Sequence, residues 1–264
     1  MNILDKICHS KRLEIAWQKE AIPFHDLIDI MIIQFRKKVS FKAALLHSAS
    51  GIIAEFKRKS PSKGWIHLEA DVVSIVQSYE AAGAAAISCL TDEPFFGGSF
   101  EDFKKAREVI NRIPLLRKDF ILDEYQLYQS KAIGADVVLL IAACLTAEEI
   151  ARFTSIAHDL DMEVLLEIHD ESELSSICPE ADVIGINNRN LDTFVTDLRH
   201  SLDLANRIPD NFVKISESGL SNPETVIQLR QAGFQGFLMG ENFMKTADPG
   251  ATLKEFIGKI CMSS

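Results

Sequence analysis

The chain has 264 residues, 47% hydrophobic and 25% charged, a globular balance that fits one large domain or two small ones. Its formal net charge of −10 argues against a nucleic-acid binder, and no apolar run approaches the roughly 18 residues of a membrane span. Five scattered cysteines (Cys8, Cys89, Cys144, Cys178, Cys261) form no CxxC pair, which argues against a zinc site or a disulfide frame.

The opening MNILDKICHS lacks the apolar core of a signal peptide, so a cytoplasmic location is expected. ILDKICHSKRLEIAWQ and FHDLIDIMIIQF read as helices, giving residues 1–50 as an N-terminal helical extension that covers one end of the domain beyond it. From residue 51 a unit repeats: a short apolar run, a loop, then an amphipathic stretch. The predicted strands are 51–57, 84–90, 113–119, 135–141, 162–168, 181–187, 211–217 and 235–240. Helical patterns lie near 71–82, 99–111, 121–133, 146–158, 170–178, 197–207, 222–232 and 249–261, several ending at glycine as helix C-caps prefer. Strands alternating with helices imply parallel pairing and right-handed crossovers. Eight units predict a single α/β (β/α)8 TIM barrel over 51–264, one structural domain with its extension.

Such barrels carry their active sites at the C-terminal ends of the strands, and the charges of this chain lie there. In IIAEFKRKSP, period-two alternation puts Ile53, Glu55 and Lys57 on one face, so a carboxylate and an ammonium sit above the packed interior. Lys118 ends strand 3 on the face of Leu116 and Phe120, while Arg117 and Asp119 point outward as a structural pair. Glu167 ends strand 5, Asn187, Asn188 and Arg189 end strand 6, and Glu217 and Ser218 end strand 7. A lone strand-end glutamate is commonly half of a salt bridge. Two inward lysines on other strands favour acid–base work instead. Burial is expected to raise Glu167 while nearby lysines lower it again, and to depress Lys118, making the latter a proton donor.

SESGL and MGEN end strands 7 and 8, where barrels hold phosphate on backbone N–H groups. Ser218, Gly219, Gly240 and Glu241 are the candidates. KRKSPSKGW forms a basic loop with Ser60 on its inner side, read as a lid over an anion. FFGGS offers Phe96, which with Phe120 supplies aromatic surface for a substrate. His169 has no second histidine at ligand spacing and no glycine fingerprint follows strand 1, so neither metal nor nicotinamide cofactor is expected.

IIAEFKRKSPSKG, TDEPFFGGSFEDF, PLLRKDFILDEYQLYQSKAIGADVVLLI, EVLLEIHD, IGINNRNLDTF, KISESGL and LMGENFM resemble indole-3-glycerol phosphate synthase of tryptophan biosynthesis. The resemblance runs from about residue 3 to 257, with Trp65 departing from the smaller aliphatic common in the family. It implies ring closure of 1-(2-carboxyphenylamino)-1-deoxyribulose 5-phosphate with loss of CO2 and water, without a cofactor. It assigns Lys118 as general acid and Glu167 as base. Lys57, Glu55, Asn187 and Glu217 complete the catalytic set. Arg189, Ser60, Phe96 and Phe120 contact substrate, and Ser218, Gly219, Gly240 and Glu241 hold phosphate. A monomer is expected, with association with other tryptophan-pathway enzymes left open.

Four other readings fit less well. Phosphoribosylanthranilate isomerase calls for a cysteine at the end of strand 1, where this chain has Glu55 and Lys57. The α subunit of tryptophan synthase is a second phosphosugar barrel of the same kind. A Schiff-base aldolase would use Lys118 covalently, and a non-catalytic phospholigand binder has no need of Lys57, Lys118 and Glu167 together.

Overall fold

Runs of Ile, Val and Leu buried on both faces form the strands of a closed parallel barrel, as the sequence predicts. The computed structural model describes residues 2–33, 36–189 and 196–262. The staves are β1 (Ile52–Phe56), β2 (Ala86–Leu90), β3 (Leu115–Lys118), β4 (Val137–Ile141), β5 (Glu163–Ile168), β6 (Val183–Asn187), β7 (Val213–Glu217) and β8 (Gly236–Met239). Each pairs in parallel with its neighbours, and β1 closes the ring by pairing with β8 at Ile53↔Leu238 and with β2 at Ile53↔Ala86. Inside, Ile53, Leu116, Leu139, Leu165, Ile215 and Leu238 pack as the lower core, so every inward residue above them belongs to the mouth.

Helices α1 (Ile3–Ala21), α2 (Phe24–Ile33), α3 (Phe41–His47), α4 (Val72–Ala82), α5 (Glu93–Phe96), α6 (Phe100–Val109), α7 (Tyr125–Ala132), α8 (Ala147–Asp159), α9 (Leu198–Ala205), α10 (Pro223–Gln231), α11 (Glu241–Met244) and α12 (Pro249–Met262) complete the chain. Local chemistry fixes their ends. Asn2 with Asp5, and Thr146 with Glu149, make capping boxes, while Gly83 closes α4 in the left-handed region at φ 93°.

Three details differ from the sequence reading. The pattern at 170–178 is a 3-10 run, Glu171–Ser176, begun by Asp170 accepting from the Ser172 amide and stopped before Pro179. Serine and aspartate side chains compete with the helical ladder there. The basic loop after β1 is a small antiparallel ribbon, Lys59–Ser60 against Gly64–Trp65, turned by Gly64 at φ 67°. The extension reaches both ends of the barrel rather than one. Capped by Ser40, α3 drives Phe41 and Leu45 into the bottom against the lower core, whereas Ile3, Leu4 and Ile7 of α1 line the mouth.

A buried ionic cluster holds α1 in place. Lys11 lies 3.1 Å from Asp92, 3.0 Å from Asp119 and 2.8 Å from Glu14. Arg117 pairs with Asp119 at 2.9 Å, the outward structural pair expected from alternation. Burial opposes the Asp119 charge, but Lys11 and Arg117 outweigh it and bring its pKa down to about 2. Among the described residues no helix is long and apolar enough to cross a membrane.

Candidate active site

At the C-terminal ends of the strands a cavity of about 470 Å³ opens, and every candidate residue named from the sequence lines it. The strand period creates this convergence. Glu55, Lys118, Glu167, Asn187, Glu217 and Gly240 each stand two residues above a lower-core or barrel-facing position.

The centre of the site is a lysine between two carboxylates. Lys118 Nζ lies 3.0 Å from Glu167 Oε2 and 3.6 Å from Glu217 Oε2. Asn187 Nδ2 donates to Glu167 Oε1 at 3.0 Å, and its Oδ1 accepts from the Arg189 amide at 3.0 Å. A second pair stands across the mouth, with Lys57 Nζ 2.6 Å from Glu55 Oε1. The side chain of Glu217 fits inside the barrel only because residue 185 is glycine. A Cβ there would lie 2.4 Å from Glu217 Oε1.

These neighbours set the charges. Burial pulls the Lys118 ammonium down, but Glu167, Glu217 and Glu55 together outweigh it and raise its pKa. The expectation that burial would depress Lys118 is therefore reversed: the net direction follows the carboxylates, not the desolvation. For Glu167 the two expected terms oppose one another, and the positive charges win. Burial raises it, yet Lys118 and His169 hold it well below the usual carboxylate range. Glu217 goes the other way, pushed up to about 8 by burial and by the charges of Glu167 and Glu55, against the pull of Lys118. At neutral pH the cluster thus contains an ammonium, an ionised Glu167 and a protonated Glu217.

The opposite side of the cavity is built from backbone. Ser218 and Gly219 follow β7 with φ of 67° and 74°. A Cβ on Gly219 would lie 2.9 Å from the Thr196 side chain, so the left-handed turn and the tight fit both require glycine. Asn188 fastens this turn, donating to Ser216 Oγ, Glu217 O and Ser218 O. Gly240 begins α11, whose first amides lack intrahelical acceptors. Any Cβ on Gly240 would lie 2.7 Å from Glu55 Oε1. The turn at β8 and the acid–base pair at β1 are therefore packed into one another.

Apolar surface closes the remaining side. The Phe96 and Phe120 rings lie 6.0 Å apart, and Ile7 of α1 also lines the cavity. Ser60, Pro61 and Lys63 of the ribbon line its rim, and Ser60 Oγ is buried with no hydrogen-bond partner among the described residues. Among the described residues no group of three or more His, Cys, Asp or Glu side chains is placed to hold a metal ion.

The family profile of indole-3-glycerol phosphate synthase matches residues 4–256. The chain belongs to the indole-3-glycerol phosphate synthase family. It is 54% identical over 259 residues to the enzyme of that name from Bacteroides thetaiotaomicron, covering 98% of this chain and 99% of the relative. Over 261 residues it is 41% identical to the Verminephrobacter eiseniae indole-3-glycerol phosphate synthase, covering 96% and 97%. With the protein of that name from Caldanaerobacter subterraneus it shares 40% over 259 residues, 98% of each.

Three residues at this synthase-family site have roles that the sequence reading did not assign. His169 Nε2 sits 3.1 Å from Glu167 Oε1 and Nδ1 3.5 Å from Glu173, and these carboxylates overcome burial to raise its pKa to about 10. The sequence weighed it only as a metal ligand, although its place two residues after Glu167 put it on the mouth face. Gly185 and Asn188 act through room and hydrogen bonding, for which sequence carries no local signal. The LDTF part of the IGINNRNLDTF motif, with Asn190, lies outside the described residues.

Proposed function

We propose that this chain converts 1-(2-carboxyphenylamino)-1-deoxyribulose 5-phosphate to indole-3-glycerol phosphate, CO2 and water, as its family membership indicates, and that the sides of the cavity divide the work. The carrying observation is one cavity with an apolar wall, a Lys118–Glu167–Glu217 cluster and two glycine turns on its opposite side. The phosphate is assigned to the turns at Ser218–Gly219 and Gly240–Glu241, where amides precede helices. The anthranilate ring is assigned to the side of Phe96, Phe120 and Ile7, its carboxylate within reach of Lys57 and Arg189.

Held so, the aromatic carbon bearing the carboxylate attacks the ketone while Lys118 gives its proton to the carbonyl oxygen. The C–CO2 bond breaks, and its electrons restore the aromatic ring. Glu167 then takes a proton from the ring carbon beside nitrogen as the new hydroxyl leaves as water, protonated by the Lys57 ammonium. Two protons are given and one is taken, which matches the loss of a carboxylate as neutral CO2. Positioned acid–base groups of this kind contribute about 10²–10⁴ in rate each.

Product fluorescence with synthetic substrate tests the reading. Indole formation is expected, with no borohydride-trapped adduct at Lys118, because an ammonium with a raised pKa, ion-paired with Glu167, is a poor Schiff-base former. A folded chain that makes no indole product overturns it. The cytoplasm is the proposed location, supported by five free cysteines, and a monomer is the proposed state, tested by sedimentation.

A further inference from the structure

We propose that Cys8 and Cys144 form a peroxide-responsive disulfide site that reversibly fastens α1 across the barrel mouth. Their sulfurs lie 3.5 Å apart although the residues are separated by 136 positions. Cys8 is on α1, one residue after Ile7. Cys144 ends the short turn Ala142–Cys144 after β4, three residues beyond Ile141. Ile7 and Ile141 both line the cavity, so each thiol follows a cavity-lining residue within three positions of the chain.

Both thiols are half-buried, within reach of an oxidant as small as hydrogen peroxide. The other cysteines make poor partners: Cys89 and Cys178 are buried, and Cys261 is exposed beside the Ala49 carbonyl. Closing the pair requires the sulfurs to approach from 3.5 Å to about 2.05 Å. The charged surroundings separate the two roles. The contact with Cys144 and the Arg12 charge lower the Cys8 pKa against burial and Asp5. Cys144 is raised by that same contact and by burial, with Glu167 and Glu173 adding to it, so it keeps its proton.

The chemistry balances with peroxide as oxidant. The Cys8 thiolate attacks one peroxide oxygen, an S–O bond forms, the O–O bond breaks and hydroxide leaves. The Cys144 sulfur then attacks the sulfenic sulfur. An S–S bond forms, the S–O bond breaks, and the Cys144 proton leaves with the oxygen as water. Two electrons pass from the thiols to peroxide, and a dithiol reductant returns them. The inference rests on where α1 lies and not on the reaction assigned to the cavity.

The full chain, reduced and then exposed to peroxide, tests it. Peptide mapping is expected to find Cys8 joined to Cys144, with two hydrogens lost from the intact mass and faster migration on a non-reducing gel. Tm is expected to rise by about 5–10 °C, since the bridge closes a long loop of the unfolded chain, and dithiothreitol should reverse every change. Cys8→Ser and Cys144→Ser should each abolish the bridge while leaving indole formation by the reduced protein unchanged. If either variant fails to fold, the mapping of the parent chain still decides. Cys8 and Cys144 left reduced, Cys8 oxidised to the sulfinic acid with Cys144 free, or a bridge through Cys261 would each overturn the site. A Cys8–Cys144 bridge without a rise in Tm would overturn the fastening of α1.

Discussion

Lys118 and Glu167 neutralise one another in the resting site, so removing either changes both charge and chemistry. Lys118→Met takes away the proton donor and leaves Glu167 and Glu217 facing each other. Glu167→Gln keeps the shape and the Asn187 contact but removes the base. Each variant is expected to lose about 10²–10⁴ in kcat with the circular dichroism of the parent, because neither side chain belongs to the lower core. Near-parent turnover in either would remove that residue from the mechanism. Glu217 makes a separate claim on pH. Its pKa is about 8 in the folded chain against an ordinary value of about 4.3, so across that window the folded state holds a proton that the unfolded state releases. Stability should therefore fall as pH rises through the window. Glu217→Gln is permanently neutral and escapes this loss. Measured by thermal unfolding, its Tm relative to the parent should climb between about pH 5 and about pH 9. His169 titrates alike in both proteins and cancels from the difference. A flat difference would mean that Glu217 is already ionised in the folded barrel.

The turns after β7 and β8 depend on backbone more than on side chains. Glu241 is itself an anion at a proposed phosphate site, so the reading needs its amide and not its carboxylate. Glu241→Gln should then change product affinity by less than about twofold, within the scatter of surface substitutions. Gly219→Asp should weaken it strongly: it strains a residue at φ 74°, crowds Thr196 and brings a carboxylate to the phosphate. Calorimetry with indole-3-glycerol phosphate measures both. Equal losses in the two variants would move the phosphate elsewhere on the mouth. These elements were readable because a glycine after a barrel strand, twice over and at the last two strands, is a positional signal. By contrast, α3 was unreadable: seven residues, FKAALLH, are too few to display a helical period. The ribbon after β1 hid for a related reason, two residues per strand being below any pattern.

Across the whole molecule, the legible features are those that derive from period and topology. Alternation along β1, β3, β5 and β7, combined with the polarity of the barrel, placed Glu55, Lys57, Lys118, Glu167 and Glu217 together from sequence alone. The sign of each pKa was not legible, because it is a sum over charges brought from several strands. Lys11 shows the same limit. On an amphipathic helix it reads as one more solvated lysine, and its partners Asp92 and Asp119 lie far along the chain. The fold also divides its tasks between its ends, and a crossed comparison tests that division. Phe41 is fully buried at the bottom and does not itself line the cavity. Phe41→Ala removes most of that packing, typically worth about 3–5 kcal/mol, or a Tm lower by roughly 10 °C in a chain of this size. The barrel ring above it stays paired, so kcat of the folded fraction should remain within about twofold of the parent, as for substitutions away from a site. Lys118→Met should show a collapsed kcat even at temperatures where it is fully folded. Thermal scans and turnover on both proteins make the comparison. A large loss of kcat in Phe41→Ala at a temperature where it is fully folded would mean that the bottom of the barrel governs the geometry of the mouth, and that stability and catalysis are not separable along its axis.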